Sequence, residues 1–176
     1  MTETPSSPTE PKKNGVGHII RLVVSVVFAL GVIASVGTFA YNKLTEADRD
    51  KDGNVTSQGK VSVDELKAGD CVVENIAEKE YARVEVAPCA KEHSSEIYAT
   101  FELEDGDFPG DKQVDELAGQ GCYDRFETFV GISYDDSALD MTYLLPLEDS
   151  WDVDRGVACM VMADGATTGS FKGAKR

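Results

Sequence analysis

Between Ala82 and Val86 apolar and charged residues alternate, with Ala82, Val84 and Val86 on one face and Arg83 and Glu85 on the other. The same period of two returns after the turn PCAKEHSS, where Ile97, Ala99, Phe101 and Leu103 alternate with Glu96, Tyr98, Thr100 and Glu102. Successive side chains of a strand point to opposite faces, so the pattern predicts two strands with one buried face each, paired antiparallel across that turn. DGDFPGDKQ then interrupts the alternation, and the period changes. Val114, Leu117, Ala118, Gly121, Cys122, Arg125, Phe126 and Phe129 recur every three or four positions, the spacing of a helix laid on a sheet. Met141 to Leu145 reads as a further strand, and Pro146 suits the first turn of a short helix running to Trp151. The apolar run GVACMVMA, Gly156 to Ala163, has the length of a buried strand. The order predicts an α+β domain: a small antiparallel sheet with one main helix packed on it, and no internal repeat.

One stretch fits neither period. From Leu22 to Tyr41 the chain reads LVVSVVFALGVIASVGTFAY without a charge, long enough as a helix to cross the hydrocarbon core of a bilayer. It predicts a transmembrane helix over residues 19–41, retained rather than cleaved, since the apolar core is longer than that of a signal peptide. Residues 1–18, rich in Pro, Ser, Thr and charge, then form a disordered tail, and the polar residues 42–60 a linker. Residues 61–173 are the folded domain and 174–176 a short tail. Lys12, Lys13 and Arg21 before the span balance Lys43, Arg49 and Lys51 after it, so flanking charge does not orient it.

Composition supplies the orientation. The chain carries a net charge of −15, and between Val61 and Arg176 there are 26 Asp and Glu against 10 Lys and Arg. Such acidity disfavours nucleic acid and anionic lipid surfaces and permits a cationic or neutral partner. Four widely spaced cysteines in a small domain read as a disulfide framework in an oxidising compartment, which puts the C-terminal domain outside the plasma membrane and the N-terminus in the cytoplasm. Of the three connectivities, position favours Cys71 with Cys89, flanking the first strand, and Cys122 with Cys159, joining the helix to the last strand. In the chain-entropy model each bridge contributes about 3 to 4 kcal/mol.

Other chemistry is weaker on spacing. Zinc sites draw two ligands from one tight turn, and no CxxC or HxxxH pair is present, so neither metal nor cofactor is expected. Cys89 and His93 in one turn would suit a thiolate and imidazole only if the cysteine were free. Strict alternation would turn Glu96 away from Ile97, allowing a partly exposed His93–Glu96 acid and base pair; a structural His93 is the simpler expectation. Asp48, Asp50, Asp52 and Gly53 open like an EF-hand calcium loop, but the closing Glu is replaced by Gly59, so a solvated turn is expected there.

Read in order, VSVDELKAGDCV, VAPCAKEHSSEIYATFEL, FPG, GCYDRFETFVG, YLLPLEDSWDVDRGVACMV and GSFKG resemble the septum formation domain of actinobacterial single-pass membrane proteins. The resemblance covers residues 61–173. It implies signature positions at Gly69, Asp70, Cys71, Pro88, Cys89, His93, Glu96, Cys122, Trp151, Arg155 and Cys159, and a link to division-septum formation without a named reaction. Where the family has Gly-Asp-Arg after its tryptophan, this chain has Val153, Asp154 and Arg155. The function expected is an anchored extracytoplasmic binding or scaffolding module of the cell envelope with a protein partner, and no enzyme. The alternatives are an accessory subunit of a membrane complex, or an envelope enzyme or redox protein using His93 and Glu96 or an exchangeable disulfide.

Overall fold

The structure is a computed structural model that describes residues 45–74, 76 and 82–176, together with residues 24, 27, 28, 30–32, 35 and 41. The predicted tail 1–18 and most of the predicted span 19–41 lie outside the described residues. Those described between 24 and 41 are helical, with Val24, Val27, Phe28 and Leu30 exposed. Among the described residues no helix is long and apolar enough to cross a membrane.

The folded unit runs from Thr45 to Arg176. Its strands are β1 (Gly59–Ser62), β2 (Cys71–Val72), β3 (Arg83–Ala87), β4 (His93–Glu102), β5 (Asp140–Leu144) and β6 (Gly156–Thr167), with helix α1 at Asp111–Val130 between β4 and β5. They form one six-stranded sheet in the order β1-β3-β2-β4-β6-β5, antiparallel at every pairing. The predicted class and the main helix stand. The predicted direct pairing of residues 82–86 with 97–103 does not: the two-residue β2 lies between, with Cys71 opposite Ala87 on one side and Glu96 on the other. A strand that short carries no alternation to read, and neither does β1. The predicted helix from Pro146 to Trp151 is a single 3-10 turn at Glu148–Ser150.

Each face of the sheet carries apolar packing. Under α1, the helix positions Val114, Ala118, Cys122, Phe126 and Val130, every fourth residue, are buried. Four of them, Ala118, Cys122, Phe126 and Val130, share one core with Tyr98, Val157, Cys159, Val161 and Phe171. Gly121 lets the helix come close, since a Cβ there would run into the Phe101 ring, 2.8 Å from Cε2. On the opposite face Val61, Leu66, Val84, Val86, Ile97 and Met160 form a second core. β4 therefore breaks its alternation: Ser95, Glu96, Ile97 and Tyr98 are buried in succession, helped by register shifts between His93 and Ser95 and between Ile97 and Ala99.

Within the described residues both predicted polar margins are folded. From Thr45 on, the segment read as a linker doubles back through an Arg49–Val55 bridge, and Glu46 bridges to Lys60 beside β1. At the other end Gly173 N–H donates to Phe129 O at 2.8 Å and Lys175 N–H to Val130 O at 3.0 Å, fixing the chain against the end of α1. Composition marks such stretches as polar, but backbone bonds, one ion pair and the packing of Ala47 and Val55 against the second core order them.

Candidate functional site

The signature residues fall at two ends of the sheet and at its middle. At the first end the chain enters β2 through Gly69 and Asp70. Gly69 sits at φ +97°, a left-handed conformation that a side chain resists. There its N–H donates to Ile97 O at 2.7 Å while Ile97 N–H donates to Asp70 O at 2.8 Å, so β4 is gripped before β2 begins.

Asp70 is buried, and the residue that neutralises it comes from the polar segment upstream. Arg49 Nη1 and Nη2 donate to the two carboxylate oxygens at 2.6 and 2.7 Å, and Lys67 N–H adds a third bond at 2.9 Å. The fork geometry suits a planar guanidinium. Hydrogen bonding to Asp70 holds the Arg49 guanidinium protonated more firmly than usual, against the opposing effect of burial. Arg49 had no signal in sequence: it stands amid DRDKDG as one charge among many.

The aspartates around Arg49 do not converge on a common point. Asp50 Oδ1 accepts from the N–H groups of Asp52 and Asn54, each at 2.9 Å, and with the Asn54 side chain these bonds hold its carboxyl below the usual range. Asp48 Oδ2 accepts instead from Ser57 Oγ at 2.9 Å. The resemblance to an EF-hand loop is thus met by a self-contained turn.

Beside Asp70 the disulfide Cys71–Cys89 closes with Cα atoms 5.2 Å apart, and Cys122–Cys159 ties α1 to β6 at 5.5 Å. These are the pairs position favours, and no cysteine is free. Glu96 is 1 % exposed rather than turned to solvent. Its Oε1 accepts from Ser170 Oγ at 2.7 Å and its Oε2 from Phe171 N–H at 2.6 Å, so the C-terminal segment roofs the face that alternation would leave open. Sulfurs and carboxylate lie within 4.8 Å of one another, the one His, Cys, Asp or Glu cluster at metal-ligand range among the described residues. Its two sulfurs are bonded together and offer no thiolate.

His93 is also buried. Its Nδ1 lies 2.8 Å from Lys91 O, to which it donates, and its ring meets Phe171 edge-on at 6.0 Å. Nε2 has no partner among the described residues. His93 and Glu96 thus make separate hydrogen bonds, and the partly exposed acid and base pair is not formed. A cleft of about 340 Å³ opens beside Glu96, lined also by Gly69, Pro88, Cys89, Ser170 and Lys172 among others.

Trp151 and Arg155 stand apart, at the end where β4 leaves and β6 enters; β4 alone spans about 30 Å from His93 to Glu102. Trp151 Nε1 donates to Gly106 O at 2.8 Å and its ring packs against Phe108 at 5.3 Å. Arg155 Nη1 donates to Trp151 O at 3.2 Å and pairs with Asp105 at 3.3 Å. Together they pin the loop between β4 and α1.

Fold and site define a disulfide-stapled α+β module whose signature residues brace loops and strand ends. A family model described as septum formation matches residues 67–175, and the chain belongs to that family. Comparison with curated proteins and with solved structures gives no match.

Proposed function

We propose that this is a membrane-anchored, extracytoplasmic binding or scaffolding module of the cell envelope that takes part in division-septum formation without a catalytic role of its own. The uncharged run from Leu22 to Tyr41 supports the anchor. Two disulfides support an oxidising surrounding for the domain. Membership of the septum formation family supplies the process.

One observation carries the binding reading: the signature carboxylates, tryptophan and cysteines are spent inside the fold, and His93, whose Nε2 is without a partner among the described residues, is buried. Asp70 is held by Arg49, Glu96 by Ser170 and Phe171, Trp151 by Gly106, and the cysteines by one another. A catalytic acid or base needs a lone pair or proton within reach of substrate. Positions that instead maintain a scaffold suit a domain whose work is done by its surface. A fluorescent fusion to the N-terminus tests the reading: enrichment at the division site is expected, and uniform labelling of dividing cells would count against it.

A further inference from the structure

Where β4 leaves and β6 enters the sheet, a groove of about 390 Å³ crosses the strand ends. Val63 and Leu66, from the turn after β1, form one wall; Leu144, Val157 and Ala158 belong to the strands beyond it. The second core reaches the groove: its buried members Leu66 and Ala158 line it, and Val63 and Leu144, packed against that core, stay partly exposed. The groove is therefore the solvent-facing margin of that core, where the apolar side chains of Val63 and Leu144 are half-buried.

Its charged lining is of one sign. Asp64, Glu102 and Asp154 line it from three separate segments, and no Lys or Arg does. Asp64 and Glu102 are exposed; Asp154 spends one oxygen on Gly156 N–H at 2.8 Å. Among the described residues the ion pairs use other acids, namely Asp70, Asp52, Glu116 and Asp105. Apolar walls bearing three carboxylates without a counter-charge match a ligand that carries both an apolar side chain and a cation. A second copy of this chain, with its net charge of −15, brings the wrong sign.

We propose that this groove is the docking site for a basic segment of a partner protein, in which Lys or Arg side chains meet Asp64, Glu102 and Asp154 and an apolar side chain between them enters beside Val63 and Leu144. The inference deepens the binding reading and rests on it. Exposed ion pairs are individually weak, so the apolar insertion supplies much of the affinity and the rim selects the sign of the partner.

The test uses the full chain in dodecyl maltoside micelles, with empty micelles as the blank, and a benzophenone-bearing hexapeptide of alternating leucine and lysine as probe. Crosslinks are mapped by peptide mass, and affinity is read from their concentration dependence. Crosslinking to residues 63–66, 144–145 or 154–158 is expected, weakened about fivefold by Asp64→Asn with Glu102→Gln and unchanged by Glu74→Gln with Glu92→Gln, two exposed acids outside the groove. Equal weakening by both pairs would reduce the effect to bulk charge and overturn the proposal. So would crosslinks confined to other surfaces, or a concentration-dependent dimer that shields the groove. Septal enrichment is scored separately in cells, so loss of peptide binding with septal labelling intact overturns the groove alone.

Discussion

Replacing Arg49 with Met tests whether the upstream polar segment belongs to the fold. Asp70 is 3 % exposed on its side chain and Arg49 18 %, with 2.6 Å between Nη1 and Oδ1. Breaking a buried pair by removing one partner costs about 3 to 5 kcal/mol, because the remaining charge is left without compensation. Here the arginine is partly wetted and Lys67 N–H still serves Asp70, which lowers the expectation to about 2 kcal/mol. For a unit of this size that corresponds to about 8 °C in Tm. Thermal unfolding of the full chain in micelles, followed by circular dichroism, reads it directly. Arg49→Lys should fall between, since an ammonium cannot reproduce the two-pronged contact. Adding Asp70→Asn to Arg49→Met should restore part of the loss by removing the stranded charge. A Tm for Arg49→Met within about 1 °C of the parent would show that the pair contributes nothing, and the account of the 45–58 segment would fall with it.

Removing Cys122 and Cys159 together, as alanines, should cost about 4 kcal/mol, and removing Cys71 and Cys89 about 3 kcal/mol, from closed loops of 37 and 18 residues; denaturant midpoints check the order. Dithiothreitol should open Cys71–Cys89 first, because Cys89 is partly exposed while Cys122 and Cys159 are fully buried. Gly121→Ala should destabilise by about 1 to 3 kcal/mol through the Phe101 ring, measurable by urea titration. Burial pushes the Tyr98 hydroxyl well above its ordinary value, so its contribution is complete below about pH 10 and is lost as pH rises beyond it. Tyr98→Phe should give a shallower alkaline fall in Tm, at the expense of the 2.8 Å bond to Cys122 O. His93→Gln should lower Tm by disturbing a buried ring while septal function follows the amount of folded protein; lost function at undiminished stability would revive a catalytic role.

How far the sequence carries depends on which contacts announce themselves along the chain. The period of 3.6 from Val114 to Phe129 located α1 because its buried face repeats every fourth residue. Cys122 on that face and Cys159 in an apolar run were enough to pair them. β1 and β2 left no trace, since four and two residues give no period, and β2 is placed by its neighbours rather than by itself. Glu96 misled for a different reason. Alternation assigns a residue to a face but does not say whether that face is roofed, and the roof comes from Ser170 and Phe171, more than seventy positions away. Arg49 was hidden likewise: the carboxylate it serves lies 21 residues on, and nothing in DRDKDG separates the buried charge from the solvated ones.

The most direct test of an external, disulfide-stapled module is a thiol count on the protein in intact cells, by alkylation and peptide mapping before and after reduction. The account predicts no alkylation until reduction, and linked peptides joining Cys71 to Cys89 and Cys122 to Cys159. Alkylation of all four cysteines before reduction would contradict it, placing the domain in a reducing compartment and withdrawing the external binding role.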